Sequence, residues 1–183
     1  MKRWLIIFAL VSCFRASADE VIPPPPTHYF TDYASVVSSA TSTRLDSMLE
    51  NFERESSDQI VVAVFPKMQS DAPIKDYTLR IANSWKVGQK GKNNGVCLFL
   101  FVQDRKLRIQ VGTGLEKALP DATCQQILDT KIIPRIKAGD YDGGLSAGVA
   151  AIIAATKGAY EGNGSIAKEA QSTNAAVQNA TSP

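Results

Sequence analysis

The residues best suited to chemistry flank a predicted β-hairpin. Asn93 and Asn94 precede its first strand, and Glu116 and Asp121 follow its second. Because antiparallel strands bring the start of one beside the end of the other, these side chains are expected at one edge of the sheet. Carboxylate and amide oxygens are ligands that Ca²⁺ and Mg²⁺ prefer. The sequence therefore predicts a site for Ca²⁺ or Mg²⁺ at that edge.

Each of these residues also has a purely structural interpretation. Asp121 follows Pro120, where its carboxylate suits the first turn of a helix. Glu116 can be a solvated charge, and the run Asn93-Asn94-Gly95 can be a loop. The residues alone leave the cation site and these structural roles both open.

Other kinds of site find little support in the sequence. His28 is the only histidine and lies beside a proline run, which is typical of an exposed linker and argues against histidine-based catalysis. Gly112 and Gly114 match the start of a dinucleotide-binding fingerprint, but Lys117 stands where its third glycine belongs. A tight turn explains these two glycines better.

The charge of the chain indicates no nucleic-acid partner. The sequence has 20 basic and 18 acidic residues, a net charge of +2. Loss of Lys2, Arg3 and Arg15 with a signal peptide takes the 20 basic residues to 17 against 18 acidic ones, a net charge of −1. A nearly neutral protein lacks the basic surface that binds phosphate backbones.

The N-terminus is typical of an exported protein. A positive start and the apolar run Trp4 to Phe14 precede the A-x-A sequence Ala16-Ser17-Ala18, which predicts a signal peptide at residues 1–18. The run is too short for a permanent membrane span. Leu10-Val11-Ser12-Cys13 resembles a lipobox, so lipidation at Cys13 is the alternative. Either route predicts a periplasmic or secreted protein.

Composition divides the rest of the chain into three parts. Residues 19–28 contain four prolines, Pro23 to Pro26, and are predicted to be a semi-rigid linker that holds the domain away from the processed end. Residues 29–160 are predicted to form one domain. Residues 161–183 are polar with little to bury, and they are predicted to be disordered.

Hydrophobic periodicity predicts the helices. One is expected over residues 41–56, one from Ile74 to Trp85, a third from Asp121 that Pro134 kinks or interrupts, and a last one after Gly144. The first has an apolar stripe of Leu45, Met48, Leu49 and Phe52.

Two continuous apolar runs predict buried strands, Ile60 to Phe65 and Val96 to Val102. The alternating segment from Leu107 to Val111 predicts a strand that is solvated on one face and joined to its predecessor by a short hairpin. The polar residues 89–94 are predicted to be a flexible loop. This order of elements predicts an α/β fold, a three-layer α/β/α sandwich with a small mixed sheet.

The cysteines left after signal cleavage are Cys97 and Cys124. Export makes a disulfide chemically feasible, whereas the apolar surroundings of Cys97 favour a buried thiol. The sequence leaves their pairing open.

An ordered series of motifs resembles the TPM domain family between Tyr29 and Ala155. The matching runs are Asp32-Tyr33-Ala34, Gln59 to Val62, Trp85 to Gly88, Asn94-Gly95-Val96, Arg108 to Glu116 and Leu119 to Ala122. The resemblance implies an α/β/α sandwich on the non-cytoplasmic side of a membrane. It also implies two functional precedents, acid phosphatase activity in a plant lumenal member and divalent cation binding in bacterial members.

Carried onto this sequence, the resemblance implies Asp32, Asn93, Asn94, Glu116 and Asp121 as metal-site residues. The family usually has Asp where Asn93 stands, and the lost charge should weaken binding of a hard cation. Many bacterial relatives continue into a C-terminal membrane helix, which this sequence does not contain.

Two functions follow as expectations. The first is a non-catalytic module of the cell envelope that binds a divalent cation and a protein partner. The alternative is a metal-assisted acid phosphatase, with Glu116 or Asp121 as a ligand or a base. No nucleophile is evident for the second.

Overall fold

The computed structural model describes residues 20–157. Its strands are β1 Phe30–Asp32, β2 Gln59–Phe65, β3 Gly95–Phe101 and β4 Lys106–Val111. Its helices are α1 Ser39–Ser56, α2 Ile74–Trp85, α3 Asp121–Ile127, α4 Ile133–Lys137 and α5 Tyr141–Thr156, with a π-helical segment, Leu128–Ile132, between α3 and α4. The predicted signal peptide, Cys13 and the predicted disordered tail lie outside the described residues.

The sheet has the strand order β1-β2-β3-β4. β1 and β2 are parallel, β2 and β3 are parallel across the α2 crossover, and β3 and β4 form an antiparallel hairpin. The predicted α/β fold, crossover and hairpin are confirmed. The prediction missed β1, because three residues are too few to establish a period and only pairing with β2 makes them a strand.

The core has two parts, one on each face of the sheet. Alternate residues of β2 and β3 pack under α1, α3 and α5, in a cluster that includes Ile60 and Leu98. The others pack under α2, in a cluster that includes Ala63 and Phe99. This arrangement places helices on both faces, as predicted for strands that are apolar at successive positions.

Cys97 and Cys124 are free thiols in different clusters, on opposite faces of the sheet. Burial raises the pKa of Cys97 to about 12 and that of Cys124 to about 11. The structure therefore settles the open question of their pairing in favour of two buried, unreactive thiols.

Two details of the predicted helices differ. Met48 is 36% exposed, because the buried stripe of α1 is the narrower set Thr41, Leu45, Leu49 and Phe52. Helix α5 begins at Tyr141 and not after Gly144, since the Asp140 carboxylate caps it by accepting from Gly143 N at 2.7 Å.

The helical segment that begins at Asp121 is interrupted as predicted. Pro134 has no N–H, and its ring would clash with the Thr130 carbonyl in a regular helix. The turn before it widens into the π-helical segment, where Ile133 N donates to Leu128 O. The interruption therefore falls on the residues that precede the proline.

The N-terminal segment, Glu20–Pro23, is not the detached spacer that the sequence predicts. Val21 N donates to Gln69 O at 3.1 Å, and Trp85 Nε1 donates to Pro23 O at 2.8 Å. The segment lies against the domain because side chains of α2 satisfy its carbonyl groups. Within residues 20–157, no helix combines the length and apolar character needed to cross a bilayer.

Candidate functional site

The start of β3 and the end of β4 lie at one edge of the sheet, which we call the glycine-rich edge. Val96 pairs with Val111, and Gly112 N donates to Gly95 O at 2.8 Å. The hairpin therefore brings the loop that ends at Asn94 beside the segment that leads to Glu116 and Asp121, as the sequence predicts.

Two glycines allow the backbones to meet at this edge. A Cβ on Gly112 would lie 2.2 Å from Asn93 O, and one on Gly114 would lie 2.0 Å from Lys92 O. Gly114 N also donates to Asn93 O at 3.1 Å. The two glycines of this turn thus serve close contact between backbones.

Asn94 is fully buried and uses both ends of its amide. Its Oδ1 accepts from Gln89 N at 2.8 Å, while its Nδ2 donates to Ser57 O at 2.7 Å and to Asp58 Oδ1 at 3.0 Å. These bonds tie residues 89–94, predicted as a flexible loop, to the turn between α1 and β2. The observed role of Asn94 is therefore to hold the loop.

Asp58 is a buried acid at the same edge that sequence reasoning missed. It is 1% exposed, and its Oδ2 has no hydrogen-bond partner in the described part of the chain. Burial raises the pKa of its carboxyl above the ordinary value, while the Asn94 hydrogen bond and the Lys92 charge act in the opposite direction. The register of β2 and β3 could have revealed this contact. Gln59 pairs with Gly95, so the residues before them, Asp58 and Asn94, are also neighbours.

Asp121 opens α3 and is paired with an arginine. Its Oδ1 accepts from Arg108 Nη2 at 3.0 Å, and its side chain is 70% exposed. The Arg108 side chain is 20% exposed, and among residues 20–157 no partner reaches its buried Nε. Arg108 is the second residue that sequence reasoning missed, because only the fold brings β4 and α3 together.

Glu116 lies on an exposed turn between β4 and α3. Leu115 and Leu119 on either side of it are buried, and Leu119 N donates to Leu115 O at 2.8 Å. The buried leucines fix the turn and leave the Glu116 carboxylate in solvent.

Asp32 lies at the opposite edge of the sheet. It ends β1 and pairs with Val64, whereas Gly95 pairs with Gln59. Val64 is five positions after Gln59 along β2, which is about 16 Å at the usual rise per residue. The Asp32 carboxylate accepts from Ala34 N, Val36 N and Val37 N at 2.8–2.9 Å and so organises the turn into α1.

The hairpin therefore brings the loop with Asn93 and the buried Asn94 beside the segment that leads to Glu116. Asp121 bonds to Arg108 in the middle of β4, and Asp32 lies at the other end of the strands. Within the described residues, no group of three or more His, Cys, Asp or Glu side chains is placed to hold a metal ion. A cation at this edge would need amide or backbone oxygens as well as carboxylates, a donor set that suits Ca²⁺.

Comparison with known proteins identifies the family. The family model described as the TPM domain matches residues 30–155. The solution structure of the N-terminal domain of a P. gingivalis protein is 34% identical, with a TM-score of 0.67, and the match covers 74% of this chain and 86% of that one. No curated protein gives a significant match.

Two more distant structures share the fold. The BA42 protein of the psychrophilic bacterium Bizionia argentinensis is 16% identical with a TM-score of 0.59, over 72% of this chain and 88% of that one. The N-terminal domain of the cg2496 protein of Corynebacterium glutamicum is 18% identical with a TM-score of 0.55, over 73% of this chain and 83% of that one. With the sandwich topology and the matched motifs, these findings establish that the chain belongs to the TPM domain family.

Proposed function

We propose that this TPM-domain protein is exported and acts in the cell envelope as a module that binds a divalent cation and a protein partner. The observation that supports the proposal is the glycine-rich edge, where the loop with Asn93 meets Gly112 and Gly114, which lead to Glu116 and Asp121. The Glu116 carboxylate and the Asn93 amide there are exposed and can exchange water for a cation, and Asp121 is 70% exposed although its Oδ1 also accepts from Arg108.

Calcium fits this edge better than magnesium. Ca²⁺ accepts six to eight oxygens in flexible geometry, including carbonyl groups, whereas Mg²⁺ demands a near-ideal octahedron. The ligands would be the side chains of Asn93, Glu116 and Asp121, completed by loop carbonyls and water. Asp32 and Asn94 would support the fold, because their side chains already serve backbone groups.

Thermal unfolding with added Ca²⁺ tests this proposal. A ligand at about 100 times its Kd stabilises the folded state by about 2.7 kcal/mol. We expect Ca²⁺ to raise the Tm of the parent and of Asp71→Ala, an exposed acid outside the glycine-rich edge, but not that of Asp121→Ala or Glu116→Ala. Asn93→Asp should bind more tightly because it adds a charge. A Ca²⁺ response that is absent from the parent, or unchanged in Asp121→Ala, would contradict the site.

Export is a separate part of the proposal and has its own measurement. Mass spectrometry of the mature protein should find Asp19 at the N-terminus. A diacylglycerol on Cys13 would replace signal-peptidase cleavage with a lipid anchor, and an unprocessed Met1 would contradict export.

Arg108 favours a second candidate, the metal-assisted phosphatase. A guanidinium beside Asp121 can bind phosphoryl oxygens, and a cation at that edge would polarise the phosphoryl group and lower the pKa of an attacking water. Turnover of p-nitrophenyl phosphate that requires Ca²⁺ or Mg²⁺ and is lost in Arg108→Lys would support this function. If the metal stabilises the protein but no turnover is found, the phosphatase is rejected and the binding module remains as the proposed function.

A further inference from the structure

The N-terminal segment lies on a row of aromatic side chains on the α2 face of the sheet, which extends to Phe65 at the end of β2. Tyr77 Oη donates to Val21 O at 2.7 Å, and Trp85 Nε1 donates to Pro23 O at 2.8 Å. Alternate carbonyls of an extended, proline-containing chain are thus bound by ring donors. Domains that recognise polyproline helices dock proline-rich segments in such aromatic-lined grooves.

A charged contact fixes the start of this segment. The Glu20 carboxylate accepts from Arg80 Nε at 2.6 Å and also from Arg80 Nη2 and Ser70 Oγ. The bidentate geometry sets the register of the residues that follow. The prolines are therefore held at a defined place on the aromatic row.

The aromatic row continues past the segment into an open cleft of about 270 Å³. Pro23 and Pro24 line this cleft together with Tyr33, Phe65 and Pro66. The Tyr33 ring stacks on Phe65 with centroids 5.0 Å apart and planes at 11°. Tyr33 is nevertheless 45% exposed, so one face of a pre-stacked ring is available to a ligand.

We infer that this cleft binds an extended, proline-rich segment of a partner protein, which packs its prolines on Tyr33 and Phe65 beside Pro24 of the chain itself. The partner's segment would continue the contact that the chain's own segment makes with Tyr77 and Trp85 through the carbonyl groups of Val21 and Pro23. Lys67 and Gln69 at the rim supply N–H donors for its carbonyl groups. Prolines enter such a complex with little loss of conformational entropy.

The residues that line the cleft favour a proline-rich peptide over a carbohydrate. Apart from Lys67, Gln69 and the Tyr hydroxyls, the lining is proline and aromatic ring, and Tyr77 Oη already donates to Val21 O. A sugar would leave many hydroxyl groups without partners there, which costs affinity. A proline-rich peptide has only backbone carbonyls to satisfy.

This inference rests on the partner-binding half of the proposed function, and the cation half is independent of it. The two sites lie at opposite edges of the sheet, so calcium-linked stabilisation and peptide binding can each fail alone.

Titration of the mature protein with a decaproline peptide, followed by ¹H–¹⁵N NMR and isothermal calorimetry, tests the inference. We expect shifts for Tyr33, Phe65 and Lys67, and about tenfold weaker binding in Tyr33→Ala. Tyr33→Phe should retain binding because it keeps the stacked ring. Leu79→Ala, which removes an exposed side chain of α2 outside the cleft, is the matched control and should bind as the parent does.

Three results of the peptide titrations would overturn the inference: no binding of decaproline to the folded parent, equal binding of decaproline to the parent and to Tyr33→Ala, and binding of a Gly-Ser decapeptide as tight as that of decaproline. Preferential binding of a chito-oligosaccharide in the same cleft would also reject a proline-rich partner. Circular dichroism of each variant verifies that the variant is folded, so that a loss of binding is not caused by unfolding.

Discussion

At the glycine-rich edge, backbone meets backbone. Gly112 and Gly114 leave room for the carbonyl oxygens of the neighbouring loop, and the buried Asn94 side chain holds that loop through hydrogen bonds. At the opposite edge, rings and prolines fill the space, and Tyr77 and Trp85 bind the N-terminal segment through carbonyl groups. One sheet thus ends in a polar surface with hard oxygen atoms and in an apolar surface with aromatic faces, so the two edges suit different ligands.

The largest effect should come from Asn94→Asp at the glycine-rich edge. The substitution removes the donor to Ser57 O and places a second carboxyl beside the buried Asp58. Like charges in a buried site raise each other's pKa and destabilise the folded state. We expect a loss of about 3 kcal/mol or more at pH 7, measured by urea unfolding. Retention of parent stability would contradict the role assigned to the Asn94 amide.

Gly112→Ala should destabilise the protein by about 2–3 kcal/mol, because its Cβ would overlap Asn93 O. The matched control is Gly91→Ala in the same loop. Gly91 has φ +84°, but its new Cβ would meet nothing within 4 Å, so only the backbone cost of about 1 kcal/mol applies. Equal losses in the two variants would mean that close backbone approach does not shape this edge.

Asp32→Ala should cost about 1–2 kcal/mol, since three backbone N–H groups lose their acceptor at the edge away from the proposed cation. Its Ca²⁺ response should equal that of the parent. A scan of Tm against Ca²⁺ concentration makes the comparison, with Asp71→Ala as the control for loss of an exposed carboxylate. A lost calcium response would show that Asp32 belongs to the cation site after all.

The smallest expected effects are on the pH dependence of the free energy of unfolding. The contributions of Asp58 at one edge and Glu20 at the other should have opposite signs. Burial raises the folded-state pKa of Asp58, so its contribution to stability is fully present at low pH and is lost as the pH rises through that pKa. Hydrogen bonds from Arg80 lower the pKa of Glu20 to about 2, so its contribution is present above about pH 4.5 and is lost as the pH falls towards 2.

Unfolding free energies across this pH range test these signs. Asp58→Asn should gain stability relative to the parent as the pH rises, and Glu20→Gln should lose stability relative to the parent over the same rise. The Glu20 effect is the smaller of the two because that group is exposed and screened by solvent. Slopes of the same sign in both variants would contradict the assigned environments.

Local patterns predicted most of the fold. Continuous apolar residues gave β2 and β3, alternation gave β4, and the stripe from Ile74 to Trp85 gave α2. Each of these signals lies within one segment of the chain, where side-chain period and secondary structure are directly linked. Strand β1 was not predicted, because three residues are too short for a periodic pattern and only their pairing with β2 identifies them as a strand.

The candidate site was predictable only in part, for the same reason. The hairpin placed the loop with Asn93 beside the segment that leads to Glu116, because an antiparallel pair fixes which strand ends meet. The predicted hairpin did not reveal that the Asn94 side chain bonds to the buried Asp58, or that Arg108 donates to Asp121. Those contacts join segments that are distant in sequence.

The sequence by itself determined which segments become helices and strands, that β3 and β4 form a hairpin, and that residue types suited to a hard cation collect where it ends. Only the tertiary structure decided that Asp32 stands at the other edge and that the carbonyl groups of Val21 and Pro23 are bound by Tyr77 and Trp85. The physical reason is that periodicity and turn chemistry act between neighbours along the chain. Burial, register and charge pairing depend on which distant segments meet.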